Sequence, residues 1–550
     1  MEKLKQEEKQ TMDLVEVKEH AKKMLKMELQ KLEDSIEETR KKMKSISIAS
    51  KCVKAAHSYL CENVSGQKLA TLTVSPLEKR LETFVWFLQN NNAPSESVAK
   101  EALTEFYKLC STLEEEFYHY EKYWITITEL LLDSLKVSRP DIQFLQLGII
   151  SELCRKEEYC QIVKERNGFD QVARLLKSIN ENVNGEACST ITAFSVTAEN
   201  RRHLGQIGVI QNLLELIWRT QNEEVMDKAI TAIWHLSIDD ENKVLIRNNQ
   251  GIPTICSLLK TNNISVLENT TIALGYLTRD DDNKITVRES QGLSLLLDVL
   301  KFPNEGLQSK AAGALWNCAS NTENKMTLRE LGAISILLDL LASNNPGVLE
   351  NVTGCLWNLA VDNDNKKEIY EKGGIPKLVQ LLTYENEAVI ENITGTLWNC
   401  ASQAEVKVII RKTNGLEPLL HCLQSDNENI RENAIGALRN CAINDQNKQT
   451  IGEIGGLELM LAILEKETKQ SIIEKLASTM WICSIDNMNK KLIRECHGFP
   501  LLVGMLENSS LSVVEKILGI LRNSSTVELY IRKNERESCI KRPEVHSNNP

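Results

Sequence analysis

Glycine recurs at a nearly constant interval through the C-terminal two-thirds of this 550-residue chain. Each of these glycines precedes an apolar residue and a Leu-rich helical segment, and the intervals between them are 40 to 43 residues. Repetition at this period is typical of a solenoid, in which each repeat packs only on its neighbours. An aromatic content of 5% fits such thin aliphatic layers better than one large core. The nine anchor glycines are Gly168, Gly208, Gly251, Gly292, Gly332, Gly374, Gly415, Gly456 and Gly498.

Each repeat is predicted to contain three helices, because apolar residues keep helical spacing without strand-like alternation. The first helix is expected to end at the anchor glycine, which can adopt the left-handed conformation. The second helix begins there, and the third is the longest, for example from about Val348 to Ala360. The first helix is expected to open at a capping Asn that precedes Lys, as at Asn242, Asn283, Asn324, Asn365, Asn447 and Asn489.

A shared pattern marks the end of the third helix in four repeats: Gly313 to Asn317, Gly354 to Asn358, Gly395 to Asn399 and Gly436 to Asn440. Together with the period and the three-helix unit, these segments resemble armadillo repeats, as in β-catenin, the adenomatous polyposis coli protein and ciliary armadillo proteins of the dynein-arm-docking type. The resemblance covers about residues 141–530. It implies an all-α, right-handed α-solenoid of about nine armadillo repeats, each of about 41 residues, with an N-terminal helical extension.

The Asn near the end of each third helix defines a ladder position that recurs every 41 or 42 residues. Residues four and seven positions earlier share its helical face, and they are usually Gly and a polar residue, respectively. The resemblance implies that this face lines a groove in which the Asn amides pair with the backbone of an extended peptide, and Gly would let that peptide approach closely. The predicted groove residues are Asn317, Asn358, Asn399, Asn440 and Asn523 at the ladder position, and Asn351, Asn392 and Asn433 seven residues before it.

Aromatic and acidic residues are predicted to form one edge of this groove, because the positions one and eight residues before the ladder nearly coincide on the helical wheel. Indoles and carboxylates there would attract basic side chains of a partner. The alternative is that each Trp packs flat on the next repeat and each Glu is an ordinary solvated residue. The site is predicted to centre on residues 316–399. The edge residues are Trp234, Trp316, Trp357, Trp398, Glu350, Glu391 and Glu432.

The N-terminal part differs from the repeats. Residues 1–50 form a charged segment in which positions 25–46 carry a heptad seam, predicting either a short coiled coil, through self-association or with a partner, or an amphipathic helix docked on the repeats. Residues 51–140 are predicted to be a helical cap of the solenoid. Residues 531–550 are polar and predicted to be a disordered tail.

Several classes of function are disfavoured. A net charge of -11 offers no basis for binding nucleic acid, and no uncharged run is long enough for membrane insertion. The 15 cysteines are scattered without metal-ligand spacing, so no metal or cofactor is expected. Cys318, Cys400, Cys441 and Cys483 follow the ladder position and are predicted to fill small core sites. No catalytic motif occurs, and a cytoplasmic location is expected, with a nuclear or ciliary and cytoskeletal pool as further options.

The favoured function is therefore a non-enzymatic interaction scaffold or adaptor that binds extended segments of partner proteins. One alternative is a nuclear-import-type adaptor for basic signals, which the acidic row would suit. An Arg-rich N-terminus and a Trp at the position held here by Gly, both typical of such adaptors, are absent. Another alternative is a structural docking subunit of a cytoskeletal or ciliary assembly.

Overall fold

The computed structural model describes residues 76–89, 96–110, 120–136, 138–507 and 509–525, and every regular element in them is helical. These residues divide into two compact units, one ending at Val196 and the other beginning at Thr197. The charged segment 1–50, its heptad seam at 25–46 and the tail 531–550 lie outside the described residues. In the part described, no helix is both long and apolar enough to cross a bilayer.

The first unit contains helices of the predicted cap followed by one complete repeat. Phe84 stacks on Phe106 with ring centroids 3.7 Å apart, and Trp124 lies beside Phe106 in the same core. That the cap closes the solenoid stays a prediction. The helices described in this unit are Pro76–Gln89, Glu96–Cys110, Glu121–Leu135, Pro140–Leu153, Glu157–Glu165, Gly168–Leu175 and Glu181–Phe194.

The second unit consists of helix triplets in which the third helices of successive repeats pack side by side. Its first helices are Ala198–Gln206, Asp240–Asn248, Asp281–Glu289, Thr322–Glu330, Asn363–Glu371, Ala404–Lys412, Asp445–Glu453 and Asn487–Glu495. Its second helices are Val209–Arg219, Gly251–Leu258, Gly292–Val299, Ala333–Leu340, Gly374–Gln380, Leu416–His421, Gly456–Lys466 and Gly498–Met505. Its third helices are Glu223–Leu236, Ile264–Leu277, Glu305–Cys318, Pro346–Leu359, Glu387–Cys400, Glu428–Cys441, Gln470–Cys483 and Leu511–Ser524.

The Asn of the Asn-Lys pairs does not cap the first helix, so that prediction is wrong. The cap is the residue three positions earlier: Asp239 accepts hydrogen bonds from the backbone N–H groups of Glu241 and Asn242. Asn242 is instead fully buried and donates from Nδ2 to the Arg201 carbonyl of the preceding first helix, at 2.8 Å, and to the Leu236 carbonyl, at 3.1 Å. The same pair of buried hydrogen bonds recurs at Asn283, Asn324, Asn365, Asn447 and Asn489.

The left-handed residue between the first two helices is the anchor glycine itself only at Gly208 and Gly332. In the other repeats it is the residue before the anchor, and the anchor is glycine for lack of space. A Cβ at Gly251, for example, would stand 2.7 Å from the Ile246 carbonyl oxygen. The left-handed positions are therefore more evenly spaced than the anchors. They are Asn167, Gly208, Gln250, Gln291, Gly332, Gly373, Asn414, Gly455 and His497.

The repeats differ in length through the second helix and the segment that follows it. The third helix has 14 residues in every repeat, from Glu181–Phe194 to Leu511–Ser524. The second helix has 6 to 8 residues except for Val209–Arg219 and Gly456–Lys466, which have 11. These two long helices follow Gly208 and Gly455, the two left-handed residues after which the interval to the next is 42 rather than 41 residues. The extra residue of these repeats thus lies between the left-handed residue and the start of the third helix.

The layers between repeats are filled by aliphatic side chains and small thiols. Cys318, Cys400, Cys441 and Cys483 are fully buried, as predicted for small core sites. Burial raises the pKa of the Cys400, Cys441 and Cys483 thiols to about 12, so these groups stay protonated at neutral pH. A protonated, buried thiol is a poor nucleophile and a poor metal ligand.

Candidate functional site

The ladder residues lie one residue before the end of each third helix, and their amides join successive repeats. Asn317 donates from Nδ2 to the Gly275 carbonyl at 3.0 Å, and Asn358 donates to the Trp316 carbonyl at 3.0 Å. Asn440 donates to the Trp398 carbonyl at 3.1 Å. Each bond fixes the orientation of an amide whose Oδ1 atom accepts no hydrogen bond within the described residues. We call the surface formed by these positions and those one, four, seven and eight residues earlier the ladder face.

Two ladder residues depart from this pattern. Asn523 donates to the Ser484 hydroxyl at 3.0 Å rather than to a carbonyl. Asn399 makes no side-chain hydrogen bond with any residue that the structure describes, so its whole amide is available to a ligand. In the first unit, the constant helix length places Ala193 at the ladder position of Glu181–Phe194, an assignment that sequence spacing alone does not provide.

The Asn residues seven positions earlier hold the repeats together. Asn392, which is 4% exposed, donates to the Glu350 carbonyl at 3.0 Å and to the Thr353 hydroxyl at 3.2 Å. Asn433 donates to the Glu391 carbonyl at 3.2 Å. Asn351 donates to the carbonyl and hydroxyl of Ser309 at 3.0 and 3.1 Å. Their amide N–H groups therefore serve the stacking of third helices, and little of Asn392 or Asn433 is left for a ligand to touch.

Four glycines of the ladder face make room for an indole rather than for a peptide, whereas a Cβ at Gly313 would meet the side chain of Asn351. A Cβ at Gly395 would stand 2.5 Å from Nε1 of Trp357 in the preceding repeat, and a Cβ at Gly436 would stand 2.5 Å from Cδ2 of Trp398. Each indole therefore lies against the bare backbone of the next third helix. The expectation that Gly admits a close-approaching peptide is wrong, and the alternative of a Trp packed on the next repeat holds. The pairs are Trp316 with Gly354, Trp357 with Gly395, Trp398 with Gly436, and Trp481 with Gly519.

One edge of each indole still faces outward. Trp316 and Trp357 are partly exposed, and Trp398 is 36% exposed. The residue 38 positions after Trp234 is Ile272 rather than a glycine. The Trp234 ring stacks on those of His235 and Tyr276, with centroids 3.7 and 6.0 Å apart. We call each ladder position a rung. The two rungs at which His235 and Tyr276 replace Asn therefore carry an aromatic cluster in place of the amide.

The glutamates predicted at the edge of the groove differ in whether another side chain of the protein engages their carboxylates. Glu432 accepts a hydrogen bond from Lys475 at 2.7 Å, and this contact holds the pKa of its carboxyl below the usual value. Glu391 accepts from the side chains of Asn427 and Asn429 at 3.2 and 3.0 Å. The carboxylate of Glu350 has no hydrogen-bonding or ionic partner within the described residues. A basic ligand group would thus find its free carboxylate at Glu350.

A cleft interrupts the ladder face in its C-terminal part, where Trp and Gly are both replaced. Arg439 occupies the Trp position and donates from Nε to the hydroxyl of Ser478, which occupies the Gly position, at 3.0 Å. The cleft has a volume of about 390 Å³. We call it the Arg439 cleft, and its lining includes Trp398, Arg439, Glu474, Lys475, Ser478 and Lys516.

An apolar row beside the ladder is a feature of the structure that the sequence-based predictions do not include. Val361, Ile443 and Ile485 lie three residues after ladder positions, and they are 57%, 55% and 56% exposed. Their regular spacing was the available signal. The described residues contain no group of His, Cys, Asp and Glu side chains placed to hold a metal ion.

Comparisons with known proteins identify the repeat. A family model described as the plant U-box protein ARM repeat region matches residues 169–399, and one described as the armadillo/β-catenin-like repeat matches residues 403–443. A crystal structure of an engineered protein superposes with a TM-score of 0.68 at 23% identity, covering 73% of this chain and 99% of that one.

Two natural proteins are also similar. A structure from work on a phosphorylation switch that controls the interaction between cadherin and β-catenin has a TM-score of 0.56 at 18% identity, covering 80% of this chain and 99% of that one. Outer dynein arm-docking complex subunit 2 of Bos taurus is 27% identical over 130 residues, which is 24% of this chain. The match spans 12% of that relative's length.

Proposed function

We propose that this chain, whose repeats are armadillo repeats as predicted, is a non-enzymatic scaffold that holds an extended segment of a partner protein along the ladder face. Armadillo repeats generally act as scaffolds for protein interaction. Our proposal adds which surface of this chain binds a partner and in which conformation the partner segment is held. We place the centre of the site at residues 316–399 and its action in the cytoplasm, including cytoskeletal or ciliary structures.

The supporting observation is the half-used amide at Asn317 and Asn358. One N–H is tied to the preceding repeat, which fixes the side chain without help from a ligand. The Oδ1 acceptor remains open and can receive an N–H from an extended backbone. Preorganisation of this kind lowers the entropy that a ligand loses on binding. The unpartnered amide of Asn399 and carboxylate of Glu350 lie on the same face.

A nuclear-import-type adaptor is less well supported. Such a function requires a row of carboxylates free to meet basic side chains, whereas Glu391 and Glu432 are engaged by side chains of the following repeat. The second candidate is a docking subunit of a ciliary assembly, which the local similarity to outer dynein arm-docking complex subunit 2 favours. A docking subunit would bind a preformed complex and fail to bind isolated segments of its components.

The proposal is tested with a face variant that leaves the repeat contacts intact. Glu350→Lys with Asn399→Ala changes two side chains that have no partner in the described residues. The control is Glu330→Gln with Asn248→Ala, at exposed positions on first helices. Proximity labelling with quantitative mass spectrometry should show partners of the wild type and the control that the face variant loses.

Circular dichroism must show equal helix content and melting temperature for all three proteins. A face variant that is folded and keeps every partner would rule out the ladder face as the binding surface. A variant that loses isolated segments but keeps a preformed assembly would favour the docking function.

A further inference from the structure

We infer that the Arg439 cleft receives an acidic side chain of the bound segment. This inference rests on the proposed function and gives the partner a negative charge at the C-terminal rungs. It differs from the sequence-based expectation, in which the edge of the groove attracts basic side chains along its length.

Three cations and one carboxylate line the cleft: Arg439, Lys475, Lys516 and Glu474. The two lysines are paired with Glu432 and Glu515, so Arg439 is the lining cation without an ionic partner among the described residues. Glu474 is occupied, because it accepts a hydrogen bond from Ser512. A net charge of -11 over the whole chain repels polyanions, so an acidic ligand can be bound only through such a local feature.

Arg439 is the cation with the most capacity left for a ligand. It is exposed, its Nε is fixed on Ser478 at 3.0 Å, and it makes no ion pair with any described residue. The remaining guanidinium N–H groups form a planar fork that matches the two oxygens of a carboxylate. The Ser478 contact therefore orients a binding group without consuming it.

The two lysines are held in place around the same space. Lys475 bonds to Glu432 at 2.7 Å and lies 5.6 Å from the centroid of Trp398. Lys516 bonds to Glu515 at 2.9 Å and lies 5.8 Å from the centroid of Trp481. Each ammonium group has three donors, so one internal bond leaves donors for a carboxylate. The Trp398 indole supplies an apolar wall on one side of this space.

The occupant is an acidic peptide side chain because of where the cleft lies. Arg439 directly precedes Asn440, whose amide is fixed on Trp398 and offers its Oδ1 to a passing backbone. A segment that pairs with this rung places a neighbouring side chain in the cleft. A free phosphate or a nucleic acid would make no use of the ladder amide.

The test uses synthetic peptides and the full chain. Fluorescence anisotropy compares a short fluorescein-labelled peptide of alternating Glu and Ser with matched peptides that carry Gln or Lys in place of Glu. We expect the Glu peptide to bind most tightly. Arg439→Gln with Lys516→Gln should weaken its binding about tenfold, as two partly exposed ion pairs would predict.

The matched control is Lys260→Gln with Lys301→Gln, which removes the same charge from exposed sites outside the cleft. It should leave binding unchanged. The inference is overturned if the Glu peptide does not bind, if the Gln or Lys peptide binds as well, or if the cleft and control variants behave alike. Loss of partners by the Glu350 and Asn399 face variant would then still support the proposed function, so the two failures are distinguishable.

Discussion

The indole of Trp357 lies against Gly395 of the following repeat, where a Cβ would stand 2.5 Å from its Nε1 atom. The residues are 38 positions apart in sequence and meet because third helices of successive repeats pack side by side. Three further pairs repeat this contact, each where a Trp one residue before the ladder position is followed 38 residues later by Gly.

Gly395→Ala should destabilise the protein by about 1 to 3 kcal/mol, because the added methyl forces the Trp357 ring out of its position. The control is Gly275→Ala, since a Cβ at that helical glycine meets nothing within 4 Å. There the substitution should stabilise the helix by about 0.5 to 1 kcal/mol. Urea unfolding of both variants checks the prediction. Equal effects at the two glycines would contradict it.

Asn324→Ala should cost more than Asn358→Ala. The Asn324 side chain is fully buried, donates to the Lys284 and Cys318 carbonyls at 3.1 and 3.2 Å, and accepts from Arg288 at 3.2 Å. Its loss leaves buried groups unsatisfied and should cost about 2 to 4 kcal/mol, compared with about 1 kcal/mol for the half-exposed ladder bond of Asn358. Urea midpoints measure the difference. The reverse order would show that the ladder bonds dominate the stacking of repeats.

His235 should remain neutral in mildly acidic solution. Burial, assisted by the charge of Arg201, lowers the pKa of its imidazole to about 4, and the ring stacks on Trp234. The unfolded chain takes up a proton near pH 6.5, so the stability that this residue contributes is present above pH 6.5 and is lost as pH falls toward 4. NMR titration should show no His235 shift between about pH 5 and 7. His235→Asn should flatten the acid limb of the stability curve, and an unchanged limb would argue against this assignment.

Cys400 should make the protein sensitive to alkali. Burial raises the pKa of its thiol from 9.0 to about 12, so the folded state keeps a proton that the unfolded chain releases above pH 9. The associated stability is complete below pH 9 and is lost as pH rises toward 12. Unfolding free energies measured from pH 8 to 10.5 should fall more steeply for the wild type than for Cys400→Ala, by at most about 1.4 kcal/mol per pH unit. Parallel curves would contradict the buried-thiol explanation.

The sequence was sufficient to predict the period and the three-helix repeat, because periodic apolar residues and glycines report local geometry directly. The resemblance to armadillo repeats came from the recurring segments that run from Gly to Asn at the end of the third helices. It was insufficient wherever a side chain acts on the next repeat. Asn242 was interpreted as a cap because Asn suits that position, but its amide bonds to Arg201, 41 residues away. The sequence pattern of one helix does not indicate a contact with the helix of another repeat.

The same limit explains the misreading of Gly395 and the neglect of Arg439. A glycine on a polar face suggests an approaching ligand until the indole from the preceding repeat is seen. A signal was present: glycine stands 38 residues after Trp316, Trp357, Trp398 and Trp481. In the next repeat Arg439 and Ser478 change together. Reading residues as pairs between neighbouring repeats would have found both features.

The second helix is where repeat length varies, with 11 residues in Val209–Arg219 and Gly456–Lys466, while every third helix keeps 14. The extra residue of each of these two repeats therefore lies between the left-handed residue and the third helix, away from the ladder positions. An epitope tag or a fluorescent reporter inserted after Arg219 or Lys466 should be tolerated, whereas one placed inside a third helix would shift every rung beyond it. The fold thus tolerates added residues after its second helices, whereas the fixed length of its third helices keeps the ladder positions of successive repeats in register.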